Sequence, residues 1–182
     1  MVHFSVFGGQ EGQLSAGRAI YVNVFGGASL RRPPVANRLL EQARWNPPDS
    51  RTRYFFLSVF GGLSIKWPTL AEEYLALLEA LRSGLVRIEE WDRVVVGPGA
   101  DPLGRTGSLS LFGGIDTDAL PTEDEELDAL SLQRHSGAIP QAAVERLILA
   151  IGQRGAQRLT AVRHAAVATL AAAAAPALPP GV

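Results

Sequence analysis

Apolar and small polar residues alternate at four places along the chain, and each alternation ends in the same three residues. FSVFGG at 4–9, VNVFGG at 22–27, LSVFGG at 57–62 and LSLFGG at 109–114 all read apolar, Ser or Asn, aliphatic, Phe, Gly, Gly. A period of two predicts a half-buried strand before each trio. The glycine pair then supplies a turn with positive φ, or lets a second backbone approach where a Cβ would resist it. ASLRRP, LSIKWP and IDTDALP follow three of the trios and predict a second, short strand ended by Pro33, Pro68 or Pro121, since proline cannot donate to a ladder. Beyond each Pro the pattern turns helical, predicting helices over 34–45, 69–83 (closed by Gly84) and 122–135 (ended by Gly137). The last two open with Pro-Thr-x-x-Glu, so Thr69 with Glu72 and Thr122 with Glu125 read as capping boxes. The first copy keeps only its first half, because QEGQLSAGRA carries neither Pro nor helix pattern.

The unit is strand, FGG, strand, Pro, helix, and a repeated unit that cannot bury enough surface alone predicts stacking of its copies. The repeat positions are Phe7, Gly8 and Gly9; Phe25, Gly26 and Gly27; Phe60, Gly61 and Gly62; Phe112, Gly113 and Gly114. Alternation puts Phe60 on one strand face with Ser58, and Leu57 with Val59 on the other. Val24, Val59 and Leu111 are expected in a common core together with at least three of the four FGG rings. LVRIEEWDRVVV at 85–96 predicts one more strand or pair, followed by the Gly/Pro-rich loop at 97–107. Two further helices are expected over 140–153, opened by Pro140, and about 156–175. Residues 143, 144, 147, 148 and 151 form an apolar helical stripe in the first of these. The expected fold is α+β: an FGG-repeat β-solenoid-like core with two inserted helices over 1–120, a helical segment over 121–175, and a disordered tail over 176–182.

LSVFGGLSIKWP at 57–68 resembles the signature segment of the C-terminal domain of LiaF-like proteins, the cell wall-active antibiotics response family. VNVFGGASLRRP at 22–33 and SLSLFGG at 108–114 are similar to its neighbouring coils. The resemblance covers roughly 50 residues in three segments. It implies a short β-solenoid of FGG coils and a bacterial, non-enzymatic role in envelope-stress sensing beside a sensor kinase. The family carries N-terminal membrane helices, which this chain lacks, and its coils follow closely where this chain inserts helices.

Composition narrows the function classes. The 182 residues carry 47% apolar side chains and a formal net charge of −1, which argues for a folded core and against a strongly basic nucleic-acid surface. Without cysteine there is no disulfide framework, thiol nucleophile or zinc-thiolate site. The start, MVHFSVFGGQEG, shows no signal peptide, and no run of about 18 apolar residues would span a bilayer. A cytoplasmic location is expected.

Each candidate for chemistry has a simpler structural reading. His3, His135 and His164 lie in three separate elements without metal-ligand spacing, and His135 suits the end of a helix dipole. The acidic run TEDEELD at 122–128 lacks the alternation and glycine of a calcium loop and matches the first turn of a helix. No Lys follows the glycine pairs as in a P-loop, and no GxSxG supports a Ser-His-Asp set. Arg31, Arg32, Arg51 and Arg53 flank strands without interleaved aromatic platforms. Asp101 and Arg105 in the 97–107 loop are read as part of a connector. No catalytic, cofactor-binding or metal residue is therefore assigned, and no nucleic-acid partner or transmembrane segment. The expected function is a non-enzymatic structural or interaction protein, a scaffold engaging a protein partner or itself. The alternative is an envelope-stress module binding a signalling partner or small ligand. The N-terminal strand, residues 2–7, is the expected contact edge, with Phe4 or Phe7 as anchor.

Overall fold

The computed structural model describes residues 2–14, 18–44, 53–96 and 105–176. The expected disordered tail from 177 onward and residues 97–104 of the expected loop lie outside them, as does Arg51. Eight strands, Val2–Phe7 (β1), Gln10–Gln13 (β2), Arg18–Phe25 (β3), Ala28–Arg31 (β4), Arg53–Phe60 (β5), Leu63–Lys66 (β6), Arg105–Ser110 (β7) and Ile115–Ala119 (β8), form two parallel sheets. Sheet A has the order β1-β3-β5-β7 and sheet B the order β2-β4-β6-β8. Each repeat unit thus gives one strand to each sheet, and the chain passes from A to B at its FGG. Residues 105–107 open β7 and do not belong to the preceding connector.

The register follows the repeat. Phe7 pairs with Phe25 and Phe25 with Phe60, while Ser5, Asn23, Ser58 and Ser110 form one row. The recurring Ser or Asn has a physical use: Asn23 Nδ2 donates to the Gly27 carbonyl (3.2 Å), and Ser58 Oγ to the Gly61 carbonyl (2.7 Å). These side chains are buried and satisfy turn carbonyls. The turns also rest on each other. Gln10 N–H donates to Gly27 O, Ala28 N–H to Gly62 O and Leu63 N–H to Gly114 O, at 2.9–3.0 Å. Gly26 has φ +119°, and a Cβ there would meet the Gly8 carbonyl oxygen at 2.5 Å; at Gly61 the approach to the Gly26 carbonyl is closer still. The glycine pair therefore serves mainly to let one backbone lie on another.

Between the sheets lie Leu14, Ala28, Leu30, Phe56, Leu63 and Ile65, with Ala19 and Tyr21 against them. The expected burial of the FGG rings is overturned. Phe25 and Phe60 are 42% and 48% exposed, Phe7 and Phe112 79% and 70%. Where the strands converge on the glycine turn, the interior takes Asn23 and Ser58 instead. Val24 and Val59 are half-buried and Leu111 is exposed, on the sheet face that points away from the core.

The described residues also form six helices: Val35–Arg44 (α1), Leu70–Arg82 (α2), Ile88–Val96 (α3), Glu123–His135 (α4), Gln141–Ile148 (α5) and Gly155–Ala174 (α6). The strand expected over 85–96 is a correction, since α3 occupies most of it. Ile88, Trp91, Val94 and Val95 recur three and four residues apart, Trp91 is fully buried among helices, and Glu90 accepts the Arg87 N–H at 2.8 Å. Packing outweighs the β-branched propensity of VVV. The helix expected over 140–153 ends at Ile148. All six helices contribute to one apolar core that includes Leu70, Tyr74, Leu77, Trp91, Leu130, Leu147 and Val162. The inserted and C-terminal helices thus share their interior.

Candidate binding surface

In sheet A alternation divides the side chains into two sets. Ala19, Tyr21, Asn23, Phe56 and Ser58 turn inward, and the other set turns out in three rows. The rows are Val2, Ile20 and Phe55; Phe4, Val22, Leu57 and Leu109; Val6, Val24, Val59 and Leu111. Every one of these eleven side chains is apolar, and none belongs to either core. With strands about 4.8 Å apart and rows about 6.7 Å apart, their outermost positions lie about 14 Å apart across the strands and about 13 Å apart along them. At one border Phe7, Phe25, Phe60 and Phe112 stack face to face, with centroids 5.1–5.3 Å apart and planes within 7° of parallel. A second, inward ladder of His3, Tyr21 and Phe56 stacks at 4.6 and 5.1 Å, and burial raises the Tyr21 pKa. His3 is thus a rung. His135 Nδ1 donates to the Ser131 carbonyl at 2.7 Å in the last turn of α4.

The expected anchors Phe4 and Phe7 lie exposed on β1, which is an edge strand of sheet A. On the outer side of sheet B a shallow groove passes over Gly9, Gly27, Gly62 and Gly114 and the row Glu11, Ser29, Ser64 and Asp116.

The charged residues that attract attention in the sequence fix the helices to the stack. Both expected capping boxes form, at Thr69 with Glu72 and at Thr122 with Glu125. Glu72 also pairs with Arg31 (3.2 Å), and Glu125 with Lys66 (2.9 Å), so each box is held by the preceding unit's second strand. The Glu125 carboxyl is held below its ordinary range by the Thr122 backbone N–H and by Lys66. Arg32 donates to the Thr117 carbonyl. The residues after the boxes, Glu73 and Glu126, were missed by the sequence reading, although the repeated Glu-Glu was its signal. Each is buried and accepts from the first N–H of the preceding unit's helix: Glu73 from Val35 (3.0 Å), Glu126 from Leu70 (2.8 Å). Each of these helices thereby caps the N-terminus of the preceding unit's helix. Glu126 is further held by buried Arg158, which also donates to the Pro68 carbonyl at 2.9 Å.

Burial pushes the Glu73 carboxyl up to about 7, against the opposing effects of Arg38, the Val35 N–H and Arg158, with Glu72 adding to the rise. The folded chain therefore binds a proton that the unfolded chain releases above the usual carboxylate range. Stability from this group is complete at pH below about 4.5 and declines as pH rises through about 7, by roughly 3 kcal/mol. Urea midpoints of Glu73→Gln against the parent between pH 4.5 and 8 test this. The variant should lack that part of the decline, and identical slopes would contradict it.

Among the described residues no helix is long and apolar enough to cross a membrane. No family model, curated protein or solved structure matches the chain.

Proposed function

We propose that the chain is a non-enzymatic structural scaffold, a β-solenoid-like stack of four FGG units that associates with a second copy of itself through the outer face of sheet A. The observation that carries this reading is the outward row set of eleven apolar side chains on sheet A. A contiguous apolar surface of that size marks an interaction site. The same face on a second copy supplies the apolar complement that it fits. The stress-sensing alternative rests on the FGG resemblance alone, and no feature of the surface favours it.

The test is Ile20→Lys with Phe55→Glu. These residues are register neighbours on the two central strands, so the introduced charges pair across the strands and sheet A is kept. Light scattering should give the parent a mass above the 19.4 kDa monomer, and the variant a lower mass at equal concentration with unchanged circular dichroism. Equal masses would remove the face as the contact. Binding of the parent to neutral phosphatidylcholine vesicles, lost in the variant, would assign the face to lipid and overturn self-association there.

A further inference from the structure

We infer that copies of the chain also join end to end, with β7 and β8 of one copy lying beneath β1 and β2 of the next, so that the stack continues across the junction. This deepens the self-association reading and rests on it. Inside the chain each unit receives the one before it through its first glycine: a Cβ on Gly26, Gly61 or Gly113 would strike the first glycine of the preceding unit. Gly8 has φ +97°, close to the conformation of Gly26, and a Cβ there meets nothing within 4 Å. Unit 1 therefore presents the backbone shape that receives a unit, with that place open among the described residues. The ring ladder agrees. Phe7 and Phe112, its end rungs, are much more exposed than Phe25 and Phe60, because each has one bare ring face. Among the described residues the terminal strands are the edges of both sheets, and an edge strand is a template for pairing with another chain.

The internal register also fixes the junction. Continuing it sets Phe112 against Phe7 and Leu109 against Phe4, the same apolar pairings as between inner units. Only four residues connect β2 to β3, so unit 1 brings no helix to the place beside α4, where α5 packs. The operation that relates successive copies is a translation with twist and does not close, so it generates a filament with a rise of about 19 Å per copy, four strands at about 4.8 Å. Sheet B contains one opposing feature. The row Glu11, Ser29, Ser64, Asp116 would bring Asp116 against Glu11 at the junction, and like charges directly opposite weaken pairing. Association at the ends is therefore weak in the parent and responds to charge.

That like-charge pair gives a test no other contact mode shares. Glu11→Lys turns the junction into an opposite-charge pair and should tighten end-to-end association about fivefold in sedimentation equilibrium. Adding Asp116→Lys to it restores like charges and should return the association to the parent value. If Glu11→Lys leaves the association constant unchanged while Ile20→Lys/Phe55→Glu lowers it, copies meet through the sheet face alone and the end-to-end inference is wrong. If all forms remain at 19.4 kDa, the self-association reading beneath it fails as well.

Discussion

Gly61→Ala is expected to destabilise the chain by about 3 kcal/mol or more, while Gly114→Ala, in the same motif, should be near neutral. The Gly61 backbone sits so close to the Gly26 carbonyl that an added Cβ would overlap it. Both partners are main chain in stacked turns, so neither can move without disturbing the units on either side. Gly114 ends the stack, and a Cβ there meets nothing within 4 Å. Comparing the two denaturant midpoints separates close stacking from a general need for glycine in a turn. Equal losses would show that turn geometry sets the requirement.

Arg158→Met should cost about 3–5 kcal/mol, because it removes the buried ion-pair partner of buried Glu126 and leaves that carboxylate, among the described residues, with the Leu70 N–H. It also removes the donor to the Pro68 carbonyl. Glu126→Gln added to Arg158→Met should recover most of that loss, since an uncompensated charge is costlier than a missing ion pair. Chemical denaturation of the single and double variants decides the matter. A single-variant loss below about 1 kcal/mol would mean that the pair does not hold α4 and α6 to the stack.

The turn chemistry and the helix starts were legible because both are local. A glycine pair after an alternating run, a Pro that stops a strand, and Thr-x-x-Glu each carry their physical reason within a few residues. The repeat also set the register, since the same apolar, Ser or Asn, aliphatic run before each FGG lets Phe7, Phe25, Phe60 and Phe112 coincide. Period two put Phe60 on one face with Ser58, and Leu57 with Val59 on the other. It contains nothing about which face meets a partner, and burial went to the face of Ser58. Among the described residues the outer side chains of sheet A join no core cluster, because the helices pack on each other. Trp91 and its valines read as strand because propensity is local, whereas the helical core that claims them is assembled from distant segments. The roles of Glu73 and Glu126 were hidden for the same reason: each caps a helix in another unit, 38 and 56 residues back in the chain.

Sedimentation velocity of the unmodified chain across a wide concentration range tests the central claim most directly. A scaffold with an uncovered apolar sheet face and open strand edges should show a weight-average mass that climbs above 19.4 kDa as concentration rises. A single species of 19.4 kDa at every concentration would contradict it.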